Sequence, residues 1–185
     1  MKEIIFAGFG GQGVLTGGLI IAYMAANKDL NAVWMPAYGP TMRGGKANCV
    51  VKFAESTEER VGSPVMEQAD ILIAMNEPAL DYLAFCRPGA TIIANSAGIR
   101  SNYPFSPDNR VICVDCLGLA RQAGNDKGQN LVAAAAAIKS GGLFDPDYAI
   151  NTMCQFFEEK GKGKFNVQIA AGDLNSEVEH IGVGV

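Results

Sequence analysis

Gly8-Phe9-Gly10-Gly11-Gln12-Gly13 puts four glycines into six residues, directly after the apolar run Ile4–Ala7 and ahead of another apolar stretch. The spacing fits G-x-G-x-x-G, and a strand before it with a helix after it is the context that gives the pattern meaning. Glycines let the backbone approach a ligand closely. The first N–H groups of the following helix and the positive end of its dipole favour an anion. Three readings stay open. The loop holds a dinucleotide, or it offers the amides of Gly8, Gly10, Gly11, Gln12 and Gly13 to a phosphate or similar anion, or it is a tight turn without a ligand. A dinucleotide needs an acid at the end of the second strand to hold the ribose. Trp34-Met35-Pro36-Ala37-Tyr38 occupies that place and holds none, which counts against the dinucleotide.

A second unusual stretch is Pro36-Ala37-Tyr38-Gly39-Pro40-Thr41-Met42-Arg43-Gly44-Gly45. Two prolines and three glycines fix a specific backbone path and leave Arg43 flanked by small residues. A guanidinium presented this way suits a phosphate, a carboxylate or a partner's acidic group. Pairing with a local acid or carbonyl is the plainer alternative, and Tyr38 and Met42 equally suit an interface. Both loops follow strands, so both are expected at the carboxyl edge of one sheet, where open α/β sheets bind their ligands.

Six short apolar runs read as the strands that must position these loops: Ile4–Ala7, Ala32–Met35, Ala47–Phe53, Ile71–Met75, Thr91–Ala94 and Val111–Val114. Most are continuous rather than alternating, as strands covered on both faces are. The connection into Ala47–Phe53 is too short for a crossover helix, which predicts an antiparallel pair. Between the strands, Leu15, Leu19, Ala22 and Ala26 share a helical face. Asn76 can cap a helix through Phe85, with Pro78 tolerated in its first turn. Leu131, Ala134, Ala135 and Ile138 make a third stripe. Ile150, Met153, Cys154 and Phe157 make a fourth, behind Asp145 and Pro146, and Val167, Ala170, Ala171, Leu174, Val178 and Ile181 make the last. The expected fold is a three-layer α/β/α domain with a mostly parallel central sheet and a helical C-terminal third, one domain over residues 1–185.

Composition agrees. The chain is 49% hydrophobic, and 15 Lys and Arg against 19 Asp and Glu give a net charge of −4. That argues against disorder and against a nucleic-acid partner. The N-terminus lacks the pattern of a signal peptide, and Gly13–Ala26 is too short to span a bilayer. A cytoplasmic protein with no membrane partner is expected.

The glycine loop and the Pro36–Gly45 stretch, with its Tyr-Gly-Pro and Met-Arg-Gly-Gly, closely resemble the gamma family of 2-oxoacid:ferredoxin oxidoreductases. Ala47-Asn48-Cys49-Val50, Asn95-Ser96 at a strand end, and Lys127 with Asn130 before an alanine-rich helix fit the same ordered pattern, from Met1 to about Ile181. The resemblance implies a complex that oxidatively decarboxylates a 2-oxoacid, couples the acyl group to coenzyme A and reduces ferredoxin. Thiamine diphosphate and iron–sulfur clusters would sit on partner subunits. Coenzyme A would be the anion met by Gly8, Gly10, Gly11, Gln12, Gly13 and Arg43. Family members often carry a Leu-Gly pair after the helix asparagine; here Leu131-Val132-Ala133 follows, which blurs the subgroup. The substrate stays open among pyruvate, branched-chain 2-oxoacids, indolepyruvate and 2-oxoglutarate, with a lean to the last.

What the chain lacks fits a subunit that is not catalytic alone. Iron–sulfur clusters need grouped cysteines, and the five here (49, 86, 113, 116 and 154) offer only Cys113-Val114-Asp115-Cys116, read as a buried thiol and a helix-start cysteine. No thiamine diphosphate signature appears, since the only Gly-Asp pair, Gly172-Asp173, stands too near the end. His180 is the sole histidine and has no evident nucleophile to serve. Glu77, Asp81 and Asp115 read as caps and first-turn acids. Two alternatives remain: a purely structural subunit of the same complex, and a free-standing Rossmann-like nucleotide-binding protein. Obligate assembly and contacts between copies are expected from the high apolar content.

Overall fold

The computed structural model describes residues 1–38, 44–63 and 65–159. Arg43 and Met42 lie outside them, as do His180, Gly172-Asp173 and the helical stripe expected from Val167 to Ile181. The six expected strands form one sheet: β1 (Lys2–Phe9), β2 (Ala32–Tyr38), β3 (Lys46–Phe53), β4 (Ala69–Ala74), β5 (Cys86–Asn95) and β6 (Arg110–Val114). Their order is β2-β3-β1-β4-β5-β6. β1, β4, β5 and β6 pair in parallel, while β3 runs antiparallel to both β1 and β2. The short β2–β3 connection dictates that reversal.

Four helices, α1 (Val14–Ala26), α2 (Cys116–Gln122), α3 (Gln129–Gly141) and α4 (Pro146–Glu159), pack on one face of the sheet. There Ile4, Phe6, Ile73 and Ile93 meet Ile21 and Ile138, all fully buried. Each such side chain contributes about 1.5–3 kcal/mol by leaving water. The opposite face, with Ile5, Leu72 and Ile92, is covered among the described residues by a nine-residue 3₁₀ segment, Glu77–Phe85, and by Ile99, Tyr103 and Phe105. Among the described residues this outer layer is thin. No helix among the described residues is long and apolar enough to cross a membrane.

Two helices differ from the stripes read in the sequence. α1 turns Gly17 and Gly18 to the sheet, against Phe6 and Cys49, with no room for a Cβ at either. Leu15 and Leu19 are therefore only half-buried and Ala26 is exposed. The missing side chains, rather than the leucines, set the contact face, because they allow the closest approach of backbone to sheet. α4 buries Ala149, Thr152, Met153, Phe156 and Phe157, while Ile150 and Cys154 are half-buried. Its entry is as expected: Asp145 accepts from the Tyr148 N–H at 3.1 Å, ahead of Pro146 in the first turn. α3 is buried on every side from Asn130 to Ile138. Its run of alanines lets it sit between α1, α4 and the sheet.

Candidate functional site

β1 and β2 run the same way because β3 opposes both, so the connections leaving them emerge at one carboxyl edge. There the two loops are joined directly. The Gly10 N–H donates to the Gly45 carbonyl at 2.9 Å, and the Gly44 N–H reaches the Gly10 carbonyl at 3.4 Å.

The glycine loop is held from inside by side-chain amides. Gln12 turns back, its Oε1 accepting from the Phe9 N–H at 2.7 Å and from Asn76 Nδ2 at 2.9 Å. Asn76 is also the expected cap of the 3₁₀ segment, its Oδ1 accepting from the Ala79 N–H at 3.1 Å. Asn130 Nδ2 donates to the Gly13 carbonyl at 3.0 Å. Asn95 Nδ2 donates to the Met75 carbonyl at 3.1 Å and fixes the neighbouring strand end. Asn76, Asn95 and Asn130 are all buried, so each needs such partners. Two glycines are structurally required. Gly13 has φ 73°, and a Cβ there would stand 2.8 Å from Asn130. A Cβ on Gly8 would stand 2.7 Å from Gln12 Oε1 and 2.9 Å from both Met75 and Val14.

These bonds sort the expected anion donors. The amides of Gly10 and Gln12 are spent within the protein, on Gly45 and on the Phe9 carbonyl. Gly13 caps α1 without a side chain, so no side-chain oxygen satisfies the helix's first amides. Among the described residues, the N–H groups of Gly11, Gly13, Val14, Leu15 and Thr16 meet no acceptor. Those residues, with Phe9, Gly10 and Ala47, line an open pocket of about 290 Å³. Unpaired amides at a helix start, facing an open pocket, can hold an anion. The amides left without an acceptor thus lie nearer the helix than the glycine spacing alone suggests, and Gln12 braces the loop through its oxygen.

Other residues singled out in the sequence have structural partners. Asp115 caps α2 through the Gly118 N–H at 2.8 Å. Glu77 stands in the first turn of the 3₁₀ segment and meets Arg100 at 3.4 Å. Asp81, midway along that segment, is neither a cap nor a first-turn acid. It pairs with Lys46 at 2.5 Å and so ties the segment to β3, as Asn48 does through the Tyr82 hydroxyl at 2.6 Å. The Asp81 hydrogen bond holds Lys46 above its ordinary pKa. Cys49, buried beside the start of α1, donates to the Val14 carbonyl, and burial pushes its thiol up to about 12. Burial also raises the half-buried Cys113, so neither thiol is activated as a nucleophile. Among the described residues no three His, Cys, Asp or Glu side chains gather as metal ligands would, and this donor set does not fit an iron–sulfur cluster.

The sequence could not show the braces. Gln12 to Asn76 spans 64 positions and Asn130 to Gly13 spans 117, and no periodicity links residues so far apart. The signals available were local: Gln12 stands among glycines, Asn76 marks a helix start, and Asn130 belongs to the family-like pattern, but none of them names its partner.

Residues 3–172 match the pyruvate ferredoxin/flavodoxin oxidoreductase family. The ketoisovalerate oxidoreductase subunit VorA of Methanothermobacter marburgensis is 38% identical over 129 residues, which is 69% of this chain and 26% of that protein. The chain thus spans about a quarter of that relative's length. A keto/oxoacid ferredoxin oxidoreductase gamma subunit from Geobacter sulfurreducens PCA has the same fold, with TM-score 0.72 and 24% identity over 94% of this chain and 98% of that one. A 2-oxoglutarate:ferredoxin oxidoreductase from Magnetococcus marinus, solved with 2-oxoglutarate, coenzyme A and succinyl-CoA bound, aligns at TM-score 0.78 and 18% identity. It does so over 94% of this chain and 30% of that one.

Proposed function

This chain belongs to the pyruvate ferredoxin/flavodoxin oxidoreductase family, and on that premise we propose that it is the gamma subunit of a 2-oxoacid:ferredoxin oxidoreductase. In this reading it works only in a complex. Partner subunits carry thiamine diphosphate and iron–sulfur clusters and pass electrons to ferredoxin. This chain contributes binding: the pocket at the start of α1 takes a phosphate of coenzyme A, and Arg43 closes on the same anion. The observation that carries the reading is the set of N–H groups on Gly11, Gly13, Val14, Leu15 and Thr16, which meet no acceptor among the described residues and surround one open pocket. A phosphate oxygen is an acceptor such donors suit, and among the described residues no acidic side chain lines the pocket to repel it. The 2-oxoacid is 2-oxoglutarate or a branched-chain acid, the classes named for the relatives above. The complex is cytoplasmic, and contacts between copies of this chain belong to its assembly.

The test is reconstitution with thiamine diphosphate and iron–sulfur subunits, followed by dye reduction dependent on a 2-oxoacid and coenzyme A. Activity is expected of the complex and none of this chain alone; turnover by the purified chain would overturn the proposal. Within the active complex, Arg43→Ala should raise the apparent KM for coenzyme A by about 10- to 100-fold, the loss of a charge-assisted contact of ~1.5–3 kcal/mol. Unchanged coenzyme A kinetics together with a dissociating complex would make Arg43 a docking residue instead.

A further inference from the structure

A trans peptide is planar, so fixing the direction of one carbonyl fixes the direction of the next residue's N–H, which points the opposite way. The Gly13 carbonyl accepts two hydrogen bonds, one from the Gly17 N–H at 2.9 Å and one from Asn130 Nδ2 at 3.0 Å. A carbonyl oxygen has two lone pairs, and both are thereby used. The helix bond alone would set the tilt of this peptide along the axis of α1. Asn130, arriving from the first turn of α3, sets its rotation about that axis. The opposite side of the same peptide is the Val14 N–H, one of the unpaired donors of the pocket.

Asn130 is held well enough to do this. It is buried at 6% exposure, in a helix whose residues through Ile138 are also buried. Its amide stands so close to Gly13 that a Cβ there would lie only 2.8 Å away. Being neutral, it orients the peptide without adding a charge beside an anion. We infer that Asn130 is a positioning residue that aims the Val14 N–H into the pocket and so sets its affinity for phosphate. The inference rests on the coenzyme A reading above and adds to it a residue that touches no ligand.

The assembled complex tests it, with coenzyme A as the probe. Asn130→Ala removes the donor. Asn130→Asp keeps the shape but turns an acceptor toward the Gly13 carbonyl. Either should raise the apparent KM for coenzyme A about tenfold while leaving the KM for the 2-oxoacid unchanged, because one pre-aimed donor is lost. A residue of merely structural importance would instead lower the maximal rate, through lost complex, at unchanged KM for both substrates. That result, or failure of both variants to assemble, overturns the inference. Thr16→Glu separates it from the reading beneath, since a carboxylate on the first turn of α1 competes for the same amides. If Thr16→Glu raises the KM for coenzyme A and the Asn130 variants do not, the pocket stands and the positioning role falls. If Thr16→Glu is without effect, the coenzyme A reading falls and takes the inference with it.

Discussion

The two edges of the sheet are fastened by different chemistry. At the amino edge, Lys52 meets Glu3 at 2.9 Å with side chains only 4% and 12% exposed, and Asp70 bonds both Arg87 at 2.6 Å and the Glu3 N–H at 2.7 Å. Lys52 also donates to the Val65 carbonyl at 2.9 Å, and Glu3 accepts from the Glu67 N–H at 2.9 Å. At the carboxyl edge, the fasteners are the half-buried Gln12 and the buried Asn76, Asn95 and Asn130, all neutral. A buried ion pair largely cancels its own field and so offers little net charge to a ligand. Neutral amides fix backbone just as firmly and leave the local field of the helix start intact. The closed edge uses charge; the edge that carries the open pocket is braced from within by neutral amides.

The largest expected effect tests the closed edge. Lys52→Met leaves the Glu3 carboxylate nearly buried without its cation, and breaking a buried pair in this way costs about 3–5 kcal/mol. Denaturant unfolding should show it, and the double variant with Glu3→Gln should recover much of the loss. A single variant as stable as the parent would mean that water reaches this pair and that the contrast between the edges is false.

A smaller effect sharpens the open edge. Gly13→Ala and Gly11→Ala both place an alanine at positive φ, 73° and 102°, a strain of order 1–3 kcal/mol each. Only at Gly13 does the added carbon meet a neighbour, Asn130 at 2.8 Å; nothing stands within 4 Å at Gly11. Gly13→Ala should therefore unfold at lower denaturant than Gly11→Ala, and the difference measures the brace. Equal losses would show that Asn130 yields freely.

The smallest effect is Lys46→Ala. Its pair with Asp81 is more than half exposed on both sides, and screened surface pairs contribute little. Its unfolding midpoint should stay within measurement scatter of the parent's. A clear loss would mean that charge also fastens the carboxyl edge.

Much of this architecture was legible in the residues. Continuous apolar runs located all six strands, and loop length gave the β3 reversal. Asn76 and Pro146 marked helix starts through local capping chemistry, which depends on neighbours within four positions. Longer-range matters were not legible. That Glu77–Phe85 winds as 3₁₀, and that α1 presents glycines rather than leucines, follow from packing against partners far away in the chain. For the site, the glycine spacing gave the loop, but which amides stay free depends on Gly45, Asn76 and Asn130.

The reversal at β3 also orders the site in time. β1, α1, β2 and β3 occupy the first 53 residues, and the Gly10–Gly45 bond lies wholly within them. That bond closes a shorter loop than the Gln12–Asn76 and Asn130–Gly13 braces, and so at a somewhat lower entropic cost. The braces wait for Asn76 and then for Asn130, which leave the ribosome progressively later. A growing chain can therefore outline the pocket before it can brace it, and the last brace arrives with α3, the helix made last among its supports.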